Sequence, residues 1–550
     1  MKAKFFLLSM VAIMFVSLFF YHYNKKTKID KPYLQELTMR VNFALKQNKI
    51  KEAIEVIQEI QRLYTNHPEV DRFYYILAQL YLTRDEFDRA LQAIDFVIKK
   101  DVRPEYLLLK GRVYQQQQQY SEALNIYSTL IKQNYTPSLL ASADIYLAQY
   151  EVKKAEQMIA KIPGHERGKY RDLVFIAGKI QMLLGNYEQA ENLFHNFLMQ
   201  NPYVFTAHIF YVRALSVQGK LNKAKEFYES HMQNPKKSDY SFYRSVYALT
   251  LSPFSAKKIY SELPKKTSLD YYYELRNYLT LGENKVVIEL GKKKLRQIHH
   301  SKLRVKIQSL ICESYLRLGN IDEAKKIASQ NKIMVEIALA ENDVESAEKI
   351  CEQIKVGNNK QLFRQQIIKN RIAYYCKQYQ KIIEETKSLE KKMLVGTSEY
   401  ALLMQSVARA FLALKEYKRA SEYFRKVYTQ NTSLPDLILT SRLWDSVCQL
   451  LQQNKPQAEQ IWQETSKIAW ENYITDVRTT HLASCLLQGK EVECEFSLQN
   501  DALFFQGLYF LDKQKSQTVE SLQKAQQKTP RRTFPSANIE YFLREKNERK

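Results

Sequence analysis

The chain has 550 residues, 45% of them hydrophobic, and a formal net charge of +24. With only 13 Gly and 13 Pro it lacks the turn residues of a multi-strand β protein, while Lys, Gln, Glu, Leu and Ala supply helix formers throughout; an all-α chain is predicted. The six Cys all lie in the second half, beginning at Cys312 and without a C-x-x-C pair, which excludes a disulfide framework or a lipid-modified N-terminal Cys and leaves small core thiols.

Residues 5–21, FFLLSMVAIMFVSLFFY, carry no charge and are flanked by Lys2 and Lys4 on one side and Lys25, Lys26 and Lys28 on the other. As a helix this run is about 25 Å long, and about 30 Å when extended to Asn24, enough to span a bilayer core. Tyr21 and Tyr23 fall where an interfacial aromatic belt would lie. The run ends without a small-x-small cleavage site, so residues 1–24 are read as an uncleaved single-span anchor, with a removed signal sequence as the alternative. The lysines after the span favour repeats on the cytoplasmic side, whereas a short basic N-tail favours their export. Both signals are present.

A basic linker, 25–33, leads into helical periodicity. Ile50, Ala53 and Ile57 mark a first unit, and Tyr74, Ala78, Tyr81, Phe87, Ala90 and Ile94 a second, with Pro104 opening the next helix. Gly111, Tyr114, Tyr120, Ala123 and Tyr127 follow, then Ala143, Tyr146, Ala155 and Pro163. The clearest unit is 171–202, where Gly178, Gly185, Tyr187, Ala190, Phe194 and Pro202 are spaced for two antiparallel helices. Gly178 lets the first helix approach its neighbour, Gly185-Asn186 turns the chain, and Pro202 ends the second helix. Gly219, Leu221, Ala224 and Tyr228 repeat the theme. Ala256 and Tyr260, then YLTLGENKVVIEL at 278–290, mark weaker units. Tyr315, Gly319, Ile321 and Ala324 make a clear one, and Ala338, Ala347 and Cys351 follow at compressed spacing. After Tyr375, Tyr379 and Ile382 the pattern strengthens at Ala408, Phe411, Tyr417, Ala420 and Phe424. Ala458 and Trp462, then Gly507, Phe510, Leu522, Ala525 and Pro530, suggest two more units.

The pattern small-x6-small-x-aromatic-x2-Ala-x3-aromatic-x7-Pro, recurring near 34 residues, resembles the tetratricopeptide repeat (TPR) family. The resemblance implies a right-handed α-solenoid of stacked helical hairpins, preceded here by one N-terminal transmembrane helix. The organisation expected is a TPR array over 34–264, degenerate repeats over 265–400, C-terminal repeats over 401–530 and a charged tail over 531–550. A single hairpin cannot bury its own apolar face, so recurrence is itself a physical requirement.

In that family the concave face is lined by the first helix of each pair, whose second, fifth, ninth and twelfth positions commonly meet the ligand. Aligning on the repeat alanines puts Gln79, Arg112, Asp144, Lys179, Arg213, Glu313 and Arg409 at the ninth position. Arg112, Lys179, Arg213 and Arg409 are therefore the candidate peptide-binding residues, suited to the carboxylates or phosphates of an extended segment. The set is similar in spirit to the carboxylate clamp of chaperone-docking TPR domains but lacks its paired Lys and Asn. Solvated charge on an unused face is the competing reading. A second basic run, Lys292, Lys293, Lys294, Arg296, Lys302, Arg304 and Lys306, contains no acid. It is a solvated helix connection or a patch for lipid headgroups or a nucleic-acid backbone. Nucleic acid is disfavoured because no recognition motif accompanies the run.

No GxxxxGK[ST], HExxH or GxSxG sequence appears, and no catalytic residue, metal or cofactor is expected. Gly164-His165-Glu166-Arg167-Gly168-Lys169 reads as a polar turn, and His299-His300 as solvated. The architecture resembles bitopic bacterial TPR proteins that organise envelope assembly, although the rubredoxin-like module of one such group is missing. The expected function is a membrane-anchored scaffold that binds acidic or extended peptide segments of protein partners and recruits them at a membrane. Two alternatives are weighed: polyanion binding through net charge, and an enzyme with a catalytic segment among the degenerate repeats.

Overall fold

The computed structural model describes residues 31–218, except 48, 65–69, 85 and 203, and residues 268–472, except 281–282, 299–300 and 430–434, with a few isolated positions between 220 and 266. The expected anchor, most of the basic linker, His299-His300, the unit around Gly507 and the charged tail lie outside the described residues. Among the described residues no helix is long and apolar enough to cross a membrane. The chain divides into two compact units, residues 1–145 and 146–550, and each is taken by itself.

In the first unit, helices α1 (Lys31–Lys46) and α2 (Ile50–Leu63) pair, as do α3 (Val70–Thr83) with α4 (Phe87–Lys100) and α5 (Pro104–Gln116) with α6 (Tyr120–Lys132); α7 (Pro137–Ala148) carries the unit boundary. Ile54, Ile57 and Ile60 of α2 interlock with Leu37 and Val41 of α1 and with Phe73 and Leu77 of α3, so each hairpin closes its neighbour's core. Gly111 is where α5 and α6 come closest. A Cβ there would lie 2.3 Å from Tyr127 Cε1, so the fully buried Tyr127 ring rests on bare backbone. Tyr127 Oη donates to Gln115 Oε1 at 3.0 Å, which satisfies its polar end.

The second unit continues with α8 (Val152–Ala160), the single turn α9 (Gly164–Arg167), α10 (Asp172–Leu184), α11 (Tyr187–Gln200) and α12 (Phe205–Val217). After the undescribed stretch come α13 (Ser268–Thr280), α14 (Asn284–Leu295), α15 (Ser301–Arg317), α16 (Ile321–Ile327), α17 (Asn331–Ala340) and α18 (Val344–Glu352). The chain then forms α19 (Asn359–Tyr375), α20 (Tyr379–Leu389), α21 (Ser398–Ala413), α22 (Tyr417–Thr429), α23 (Pro435–Leu451) and α24 (Lys455–Asn472). Gly178 repeats the Gly111 device, with a Cβ there 2.5 Å from Phe194 Cε1. At Gly291 the roles are exchanged: the small residue stands on α14, the second helix of its pair, and Ile311 of α15 fills the space. The repeat alanines 53, 90, 123, 155, 190, 224, 324, 347, 420 and 458 are all fully buried. The compressed spacing of Ala338, Ala347 and Cys351 has a simple cause, since α17 and α18 have only 10 and 9 residues.

Every described first-to-second helix turn closes the same way, by a backbone bond from the residue before the second helix to the carbonyl five residues earlier. Gln119 N to Tyr114 O and Asn186 N to Gln181 O, both 2.9 Å, are examples. The residue two before the second helix is left-handed in most of them: Gly185 (φ 86) and Gly319 (φ 76), but also Gln118, Tyr150, Asn342, Lys377, Lys415 and Gln453. Glycine fits this conformation without strain and the others do not, so two of these turns announce themselves in sequence and the rest are silent.

Candidate functional site: a charged junction in the second unit

Four short stretches of the second unit meet around one carboxylate. Thr397 starts α21 by accepting from Tyr400 N through its hydroxyl at 3.2 Å, which places Glu399 in the first turn. Asn358 caps α19 in the same manner, accepting from Gln361 N at 3.0 Å, and so sets Lys360 and Arg364 on the opening turns of that helix. Tyr150 stands in the left-handed position ahead of α8, and Arg213 projects from α12.

The buried Glu399 accepts from Tyr150 Oη at 2.8 Å, Arg364 Nε at 2.9 Å and Ser398 Oγ at 2.9 Å. Burial pushes its carboxyl up, but these donors and the Arg364 charge outweigh burial and hold it below the usual carboxylate range. Lys360 Nζ lies 4.9 Å from the centroid of the Tyr150 ring. Its ammonium is pushed down by burial and then by the charges of Arg364 and Arg213. The Tyr150 hydroxyl is pushed up by burial and by Glu399. Arg213, half-buried, is pulled down by burial and supported by Tyr150, Tyr187 and Glu399. Three cations thus face a single carboxylate.

Backbone contacts draw the same stretches together. Gly396 N donates to Leu183 O at 3.1 Å, and Lys360 N to Gln149 O at 3.3 Å. A Cβ at Gly396 would lie 1.9 Å from Met182 O, so only glycine fits there. Val395 packs against Gly185 in the α10–α11 turn.

Of the sequence-predicted groove residues, Arg213 alone stands at this junction. Lys179 is half-buried with its ammonium 5.8 Å from the Phe175 ring and 5.9 Å from the Phe210 ring. Arg409 is half-buried on α21, and Arg112 is exposed on α5 of the first unit, its charge acting on Tyr75 and Tyr127. The second basic run is engaged largely by its own surroundings. Lys292, Lys294 and Lys306 lie over the rings of Tyr315, Tyr271 and Tyr272 at 5.2, 3.8 and 5.6 Å. Arg304 donates to the carbonyls of Leu295 and Ile298, closing the end of α14. Lys293 and Arg296 are exposed, and the Lys302 side chain is outside the described residues. Sequence reasoning missed Tyr150, Lys360, Arg364, Gly396 and Glu399. The Thr397-Ser398-Glu399 start of α21 was the available signal, because it marks a helix beginning at which an acid is held.

Residues 38–99 match the family model of a tetratricopeptide repeat. This stretch of the chain is a tetratricopeptide repeat. Among solved structures, it is similar to a TPR protein of Parabacteroides merdae at 16% identity, covering 51% of this chain and 98% of that one with a TM-score of 0.31. It is also similar to the Cut9–Hcn1 hetero-tetramer of the APC/C at 14% identity, covering 82% and 95% with a TM-score of 0.34. Yeast Tom70 is a third such structure, at 13% identity, 84% and 97% coverage and a TM-score of 0.29. No curated protein matches by sequence. Stacked helical hairpins of this kind create the extended concave surfaces that repeat proteins use for binding. Arg213 is the ninth residue of α12, as the repeat spacing expected.

Proposed function

We propose that this TPR protein is a membrane-attached scaffold whose inner walls bind acidic, extended segments of partner proteins. The observation that carries the reading is the excess of cations over Glu399: Arg213, Lys360 and Arg364 converge on one carboxylate. Arg213 and Lys360 are half-buried and Arg364 is 62% exposed, which leaves positive charge open to an incoming anion, and guanidinium groups suit carboxylates through directed pairs of hydrogen bonds. Membrane attachment is supported by residues 5–21, an uncharged run between lysines.

Crosslinking from native membranes, comparing the wild type with Arg112→Glu/Arg213→Glu and with Lys293→Glu, tests this reading. A defined protein partner should be lost in the double variant and kept in Lys293→Glu. Equal losses in both would show bulk charge at work and refute wall recognition. Alkaline carbonate extraction should leave the full chain in the membrane pellet and release a chain lacking residues 1–24.

A further inference from the structure

We propose that residues 393–399, Met-Leu-Val-Gly-Thr-Ser-Glu, are a latch: they pack against Tyr150, the α10–α11 turn and Arg213 and cover the donors that a partner would use. The segment forms a tight turn, closed by Thr397 N to Leu394 O at 3.1 Å, and Met393 and Val395 pack in one hydrophobic cluster with Tyr150. It brings one backbone donor, Gly396 N, to a carbonyl in the last turn of α10, where helix geometry leaves acceptors unfilled. Its small apolar residue, Val395, rests on the α10–α11 turn, and its carboxylate, Glu399, takes the Tyr150 hydroxyl and lies beside Arg213.

Two features separate this contact from ordinary repeat stacking. Neighbouring repeats touch through helix faces, whereas Tyr150 and Glu399 are 249 residues apart in sequence. The docking also depends on the absence of a side chain at Gly396, because a Cβ there meets the Met182 carbonyl oxygen, a backbone atom that cannot turn aside. A methyl group should therefore lift the segment while leaving α21 intact, since the cap of that helix comes from the neighbouring Thr397.

If the segment leaves, its anchoring carboxylate is withdrawn from Tyr150 and Arg213, and an incoming carboxylate meets the same hydroxyl and guanidinium. That step rests on the reading of the partner as acidic; the closure itself does not. The latch lowers the apparent affinity for any such partner by the fraction of molecules that are closed.

The test uses the full chain in detergent micelles, as wild type, Gly396→Ala and Glu399→Gln. Hydrogen exchange is followed over residues 149–151 and 182–187, and binding of a short fluorescein-labelled polyglutamate peptide by anisotropy. Both variants should exchange faster over these two stretches and bind the peptide about tenfold more tightly than the wild type. Unchanged exchange in both variants overturns the latch. So does faster exchange with wild-type affinity, since the segment would then cover nothing of use. Faster exchange with no peptide bound by any of the three proteins supports the latch and refutes the acidic-partner reading instead.

Discussion

Gly178→Ala sets two effects of opposite sign against each other. In a helix interior alanine is favoured over glycine by about 0.8–1.0 kcal/mol, so propensity alone predicts a more stable α10. Packing predicts the reverse. The new methyl would lie 2.5 Å from Phe194 Cε1 and 2.8 Å from Cδ1 and Cζ, where carbon pairs prefer about 3.5–4.0 Å. The ring must retreat by about 1 Å to restore that spacing, and it has nowhere to go. It is fully buried, with the Phe175 and Phe210 rings at centroid distances of 5.7 and 5.5 Å. Overpacking of this kind costs about 1–3 kcal/mol, so after the gain in propensity a net loss of up to about 2 kcal/mol is expected locally. Native-state hydrogen exchange of the α10–α11 amides is the suitable assay, because a repeat array need not unfold in one step. Phe194→Leu in the same background should recover part of the loss, which a double-mutant cycle would register as coupling. Gly164→Ala, where a Cβ meets nothing within 4 Å, is the control and should be near neutral. A Gly178→Ala protein whose α10 amides are better protected than the wild type would refute the packing argument.

The turn geometry makes a prediction in the other direction. Lys415 sits at φ 62, a conformation costing a non-glycine residue about 1–2 kcal/mol, and the extra unfolded-state freedom of glycine returns about 0.4–1. Lys415→Gly should therefore stabilise its hairpin by about 0.5–1 kcal/mol, raising the urea midpoint, while Gly185→Ala should lower it. Glu191 gives a pH dependence. Burial pushes its carboxyl up, but hydrogen bonds from Lys220, Lys223 and Gln218 outweigh this and hold it at about 2. Because the folded value is depressed, the contribution is complete above the unfolded value near 4.3 and is lost as pH falls from about 5 towards 2. The carboxylate is 6% exposed but the lysines are 41% and 57% exposed, so the full shift is discounted to about 1.5 kcal/mol. Subtracting the stability of Glu191→Gln from that of the wild type should give a difference that shrinks across this window; a difference flat from pH 7 to pH 3 would refute the assignment.

What was legible in the sequence was what sterics dictates locally. Where two helices cross at close range only a small residue fits, so Gly111, Gly178 and the buried alanines appear at a period that can be counted. Between 265 and 400 the same rule holds with altered parts. Helices α16 to α18 are short, and at Gly291 the small and large residues have exchanged helices, so the hairpins persist after the spacing has decayed. The left-handed turns at Gln118, Lys377 and Lys415 left no signal, because each hairpin tolerates the strain without glycine. Of the charged positions, Arg213 was placed by periodicity, but its neighbours were not. Tyr150, Lys360, Arg364 and Glu399 are joined by long-range contacts that no local spacing rule encodes.

This difference bears on how the second unit works. A solenoid built only of neighbour contacts has an inner wall that is always available, and its affinity is set by the wall itself. A contact reaching from Tyr150 to Glu399 adds a second quantity, the fraction of time the wall is covered. The polar links that reach the wall are the hydroxyl of Tyr150, the amides of Gly396 and Lys360 and the charge of Arg213, and Met393, Val395 and Tyr150 also share a hydrophobic cluster with Phe363 and Tyr400. Hydrogen bonds of this kind contribute about 0.5–1.5 kcal/mol each, and the closure of a long intervening chain opposes their sum. The balance is that of a contact strong enough to exclude a weak ligand and weak enough for a well-matched one to displace. The shared packing of Met393, Val395 and Tyr150 strengthens the closed state, and the cations around Glu399 give an incoming acid something to compete for.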